Sequence, residues 1–192
     1  MKHLLGMGLL ASSATVAQVE IQLPPEVSRF VEPGTVAIAI EKGDVNGEGE
    51  QDYLLVLEHL RDGDKQADDI RDLLVLVRHK KGELKLVARN NTILGCAIMQ
   101  GSSGSISVTP TGAGFDVEDH IGSASAGGTR RFKFNYARRE RTWVLIEVDD
   151  ESYGDDQSPP EHVQHTQRPY ENGLVIRFAE FNGADYSVDC AP

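Results

Sequence analysis

The chain is poor in the residues that most readily mark a reaction centre. It has only two cysteines in 192 residues, Cys96 and Cys190. Neither sits in the histidine pattern that a catalytic thiol needs. The G-x-S-x-G elbow, the Walker A loop, H-E-x-x-H and the dinucleotide fingerprint are all absent. Positive charge is also scarce, since 19 Lys and Arg face 30 Asp and Glu, for a net charge of -11. That deficit excludes the basic footprint of a nucleic-acid binder. It favours solubility, cations or a basic partner surface. No stretch reaches the ~20 apolar residues of a transmembrane helix, so stable membrane insertion is not expected.

What is present begins with MKHLLGMGLLASSATVAQVE. Lys2 supplies a positive start, Leu4 to Leu10 a short apolar core, and Ser12 to Ala17 a run of small residues. This pattern reads as a secretory signal over 1–17, with cleavage after Ala17. The alternative is an apolar N-terminus that is retained. Export places the protein in the periplasm or outside the cell, where Cys96 and Cys190 would form one disulfide. Such a bond closes a long loop and contributes about 3–4 kcal/mol. Two unrelated thiols are the other reading.

Helical signals are few: PPEVSR at 24–29 suits one short turn, and Asp68 to Leu74 is an ambiguous case. Strand signals dominate, at Val36–Ile40, Tyr53–Glu58, Leu73–Arg78, Leu84–Ala88, Ser105–Thr109 and Phe115–Glu118. RFKFNYA at 131–137 alternates strictly, with Phe132, Phe134 and Tyr136 on one side. TWVLIEV at 142–148 follows a short polar turn, which predicts a hairpin. LVIRFAEF at 174–181 reads as another strand, and Tyr186–Cys190 as a last one. GSSGS at 101–105 and GSASAGG at 122–128 read as loops, and 149–168 as a mobile polar excursion. The expectation is a single mainly β domain over 18–192, antiparallel, meander or sandwich-like, with few short helices.

One stretch is unusual. In GDVNGEGEQDYLLVLE, residues 43–58, acidic and amide side chains alternate with glycine just before an apolar strand. Counted from Asp44, positions 1, 3 and 5 are Asp44, Asn46 and Glu48. Position 6 is Gly49, position 7 is Glu50 and position 9 is Asp52. Calcium takes six to eight oxygens at about 2.3–2.6 Å from a curved backbone. Alternate side chains supply inward oxygens, position 7 offers its carbonyl, and Gly49 permits the sharp turn. Without a cation the carboxylates repel one another.

The loop resembles the D-x-[DN]-x-[DN]-G-x-x-D loop and following apolar strand of FG-GAP and integrin-α-like repeats. More closely, the chain resembles bacterial secreted proteins of unknown function. These pair one loop of the type GDLNGDGxxDYxLVL with a downstream aromatic hairpin. The resemblance spans Phe30 to about Val148, including RDLLVLVRHKKGELKLVARNNTIL and RRFKFNYARRERTWVLIEV. It implies a calcium ion held by Asp44, Asn46, Glu48, Glu50 and Asp52, and it implies no activity. Glu48 departs from the usual Asp or Asn, and Leu55 replaces the bidentate Glu of an EF-hand. A single loop excludes a full propeller, which needs several repeats.

Other groupings read as solvated surface. They are the Asp62, Asp64, Asp68 run, the acidic cluster Asp149, Asp150, Glu151, Asp155 and Asp156, the pair His162 and His165, and His120. Arg130, Arg131, Lys133, Arg138, Arg139 and Arg141 read as the outer face of a sheet, and Trp143 as core. Two functions remain. One is an exported, non-enzymatic, calcium-stabilised protein that binds an unknown protein partner, of inhibitor or immunity type. The other is a calcium-dependent hydrolase of cell-wall or glycan material, using carboxylates such as Asp116 with Glu118 or Asp119.

Overall fold

A computed structural model describes residues 21–60, 67–79, 82–94, 105–122, 127–153, 163–171 and 173–183. Among the described residues one short helix, α1 (Pro25–Ser28), precedes nine strands. These are β1 (Thr35–Gly43), β2 (Asp52–Leu60), β3 (Ala67–Arg78), β4 (Leu84–Asn90), β5 (Ser105–Pro110), β6 (Gly114–Gly122), β7 (Gly127–Ala137), β8 (Thr142–Tyr153) and β9 (Val163–Gln167). A 3-10 turn at Phe178–Glu180 follows. The strands form two antiparallel meanders in chain order, a four-stranded sheet β1–β4 and a five-stranded sheet β5–β9. Among the described residues no helix is long and apolar enough to cross a membrane.

The two sheets share one core. Leu54, Val56, Leu73 and Val75 of the first sheet join Phe115, Val117, Phe132, Phe134, Leu145 and Val148 of the second. A second core covers the opposite face of the first sheet. There Leu55, Leu57, Leu74 and Leu76 pack with Val27 of α1, and Leu23, Phe30 and Val31 close over them. Strands β2 and β3 are therefore buried on both faces, which explains why YLLVLE and LLVLVR read as continuous apolar runs rather than alternations. The second sheet buries one face only, so β7 keeps the alternation that its sequence announces. Gly43 lies where β1 meets β5, and a Cβ there would stand 2.5 Å from the Pro110 side chain.

Several expectations need correction. Asp68 to Leu74 is strand, because it lies inside β3 and pairs with β2. Gly122, Gly127 and Gly128 are not loop but the paired ends of β6 and β7. The polar excursion at 149–168 is in part sheet: β8 continues to Tyr153, and Val163–Gln167 pairs with it as β9. Residues 154–162 lie outside the described residues. LVIRFAEF is not a strand, since only Arg177 bridges to Val144 before the 3-10 turn. The reason is spacing. Phe178 and Phe181, three apart, both enter the core, which suits a period of three and not of two. Phe178 meets the rings of Phe115 and Phe134 edge-on at 5.2 and 5.4 Å, and Phe181 meets Phe132 at 4.9 Å. Asn90 fixes the turn by donating to the carbonyls of Phe178 (2.6 Å) and Phe181 (2.7 Å). The 1–17 segment, Tyr186–Cys190 and both cysteines of the expected Cys96–Cys190 bond lie outside the described residues.

Arg141 closes the β7–β8 hairpin with φ of 53°, a left-handed conformation that crowds a side chain. Replacing it with glycine removes a steric cost of about 1 kcal/mol, partly offset by chain entropy. The expected outcome is a melting temperature about 1–3 °C higher by circular dichroism; an unchanged or lower value contradicts the strain.

Candidate functional site

The acidic loop between β1 and β2 is ordered around its first carboxylate. Asp44 Oδ1 accepts the amides of Asn46 (3.1 Å) and Gly47 (2.7 Å), and its Oδ2 accepts Gly49 (2.8 Å). Asn46 Oδ1 in turn accepts the Glu48 amide at 2.9 Å. Gly47 and Gly49 have φ of 73° and 81°, which lets successive amides converge on one side chain. Burial pushes the Asp44 carboxyl up, but the amides of Gly49, Asn46 and Gly47 outweigh it and hold the group below its ordinary range. Asp44 is thus an anion within its own loop.

Asp52 is the deepest residue of the set, fully buried. Its Oδ2 accepts the Val45 amide (3.1 Å) and its Oδ1 the Arg78 amide (2.8 Å), so one carboxylate ties the loop to the end of β3. Burial pushes its pKa up first. The two amides pull it back, while the charges of Asp44 and Glu48 raise it further. Glu48 and Glu50 are exposed and Asn46 is buried. The loop also closes one end of the sandwich. Val45 enters the shared core, and its carbonyl accepts the indole N–H of Trp143 at 2.6 Å. Trp143 is a core residue, as expected, stacked in tilted contact with Tyr136 and Phe115.

The five expected ligands are therefore brought into one loop but play unlike parts. Asp44, Asn46 and Asp52 are partly or fully buried and turned to loop or strand amides; Glu48 and Glu50 face solvent. Among the described residues no three His, Cys, Asp or Glu side chains converge as a preformed metal cage. The donor set is nonetheless all hard oxygen, and three of its carboxylates lie close enough for the charges of Asp44 and Glu48 to disfavour ionisation of Asp52. Those properties suit calcium.

A second grouping was not legible in the sequence. His120 is in β6, and its acid partner is Glu118. His120 Nε2 lies 2.7 Å from Glu118 Oε1, and Nδ1 lies 3.0 Å from Thr129 Oγ1. Residues two apart on one strand share a face and Thr129 is the register partner of His120, so all three meet on the outer face of the second sheet. Around them run cross-strand ion pairs: Arg131 to Glu118, and Lys133 to Glu147 and Asp149. Arg131 and Lys133 are thus outer-face residues, as expected. Arg130 is not; it faces inward and pairs with Asp150. Asp116 stands on the same outer face, its carboxyl pushed up by burial. A third cluster lies on the far face of the first sheet, where buried Asp72 binds His59 Nε2 (2.6 Å) and Arg89 (2.5 Å), and Arg89 reaches Glu32 (2.8 Å). Of the remaining expected surface groups, His165 is exposed in β9, and His162, Asp155, Asp156, Asp62 and Asp64 lie outside the described residues.

No family model, no curated protein and no solved structure matches the chain.

Asp52→Ala leaves the Val45 and Arg78 amides without an acceptor inside the protein. At about 1–3 kcal/mol for each buried unsatisfied group, the loss is on the order of 3 kcal/mol in urea unfolding without calcium. A loss below ~1 kcal/mol would show that the carboxylate is not what holds loop and strand together.

Proposed function

We propose that this chain is an exported, non-enzymatic β-sandwich protein, stabilised by one calcium ion and built to bind a protein partner. The observation that carries the reading is the Asp44–Asp52 loop, where acidic side chains crowd a glycine-turned backbone and the charges of Asp44 and Glu48 add to the cost of ionising buried Asp52. Asp44, Asn46 and Asp52 would hold the ion, with Glu48, Glu50 and loop carbonyls completing the set. A bound divalent cation converts carboxylate repulsion into cohesion at the end of the sandwich. The resemblance to secreted proteins with a single FG-GAP-like loop supports the same reading. Periplasmic or extracellular placement follows from the signal-like N-terminus. The partner is a basic surface, given the charge of -11, and an inhibitor or immunity role against a basic hydrolase fits that complementarity.

A hydrolase is the second reading, favoured by the Glu118–His120–Thr129 relay. It has an acid orienting an imidazole that holds a hydroxyl at hydrogen-bond distance. Weighing against it, β7 is a central strand whose amides are committed to neighbours on both sides, so they are not free to stabilise an oxyanion beside Thr129.

Calcium is expected to raise the melting temperature and a chelator to lower it, with Asp44→Ala erasing the difference. At calcium 100 times the dissociation constant the gain is ~2.7 kcal/mol. No shift at millimolar calcium refutes the ion. A screen of ester and glycan substrates separates the two readings: the binding protein gives no turnover, whereas turnover abolished by His120→Gln establishes the hydrolase.

A further inference from the structure

The inner faces of both sheets change character at the end away from the acidic loop. On β6, Phe115 and Val117 are followed on the same face by Asp119; on β7, Phe134 and Phe132 by Arg130; on β8, Val148 by Asp150. Asp119, Arg130 and Asp150 are register neighbours, one charged rung across three strands. On the first sheet the pattern repeats. Val56 is followed by Glu58 and Leu73 is preceded by Arg71, and these two pair at 2.9 Å. Among the described side chains, five ionisable groups therefore sit in a layer directly beyond the apolar core.

Within that layer the pairing is unequal. Arg71 is bonded to Glu58 and Arg130 to Asp150. Asp119 is left over: it is 8% exposed, and its Oδ1 is buried without a hydrogen-bond partner. Among the described side chains of this layer, three carboxylates face two guanidiniums when all are ionised. A carboxyl with a buried oxygen that accepts no hydrogen bond is costlier as an anion than as a neutral acid.

We propose that Asp119 is a proton-binding latch between the sheets, neutral in the tightest form of the sandwich and ionised in a looser one. A proton on Asp119 removes a buried charge that has no hydrogen-bond partner at Oδ1. The charged groups that act on Asp119 are Arg130 on β7, His120 beside it on β6 and Arg71 across the gap on β3. All three favour its anion, yet burial outweighs them and pushes the carboxyl up. The sign follows. A carboxyl whose pKa is raised in the folded state binds its proton more tightly there than in the unfolded chain. Its contribution is complete below the unfolded value near ~4 and is lost as pH rises through the folded value.

The test compares the full chain with Asp119→Asn, which keeps shape and removes ionisation. Urea midpoints are measured from pH 3 to pH 8. The variant is expected to unfold at higher urea than the wild type at pH 7, and the gap is expected to close toward pH 3. A gap that is constant across this range overturns the latch. Carbon-13 carboxyl titration of the wild type gives a readout that does not depend on the variant folding. A value for Asp119 above the ordinary aspartate range supports the proposal, and one at or below about 3.9 overturns it.

Discussion

The acidic loop can lie against the core only because one buried carboxylate satisfies the backbone that bends there. Turning from β1 into β2 strands amides that no ladder reaches, and Asp52 takes the Val45 amide on one oxygen and the Arg78 amide on the other. With that carboxylate in place, Val45 enters the core and its carbonyl meets the Trp143 indole. Loop, β3 and β8 are thereby joined at one end of the sandwich. That position has a cost: burial disfavours ionisation of Asp52, the two amides offset part of it, and the charges of Asp44 and Glu48 add to it.

The two sheets answer different demands. The first is covered on both faces, by the second sheet on one side and by α1 with its flanking residues on the other. Charges on its outer side are gathered at the margins of that cover, as Glu26–Arg78 and the Glu32–Arg89–Asp72–His59 chain. The second sheet turns one face to water and lays acids and bases in alternating columns across β6, β7 and β8. Partly exposed pairs of this kind contribute little each, typically below ~1 kcal/mol. Their arrangement still opposes a one-residue slip, because a slip would carry the charged face of β7 into the aromatic core.

How much of this was legible depended on periodicity. The period of two in RFKFNYA gave the β7–β8 hairpin, and the apolar runs YLLVLE and LLVLVR gave β2 and β3. Glycines that looked like loop at 122, 127 and 128 are strand because β6 and β7 continue to pair through them. LVIRFAEF failed because Asn90, nearly ninety positions away in sequence, satisfies the carbonyls of the turn that replaces the strand. The clustering of Asp44, Asn46 and Asp52 was legible; the conversion of Asp52 into a structural anchor was not, since it depends on an amide of β3. The His120 relay was hidden for the same reason. Its hydroxyl comes from the next strand, and only register brings Thr129 opposite His120.

Three buried aspartates show how one side chain is put to three uses. Asp72 is bonded to Arg89 and His59; burial pushes it up, but those partners outweigh it and hold the carboxyl below its ordinary range. Asp52 is bonded only to amides, which are weaker partners than cations, and burial wins. Asp119 has cations near it but accepts no hydrogen bond at its buried oxygen, and burial wins again. Asp52 and Asp119 lie toward opposite ends of the strands. Along β2, the six steps from Asp52 to Glu58 span about 20 Å. The chain buries an acid toward each end of the sandwich. It closes one end by spending amides on a carboxylate and the other by setting charges against each other, and the second solution leaves one carboxylate over.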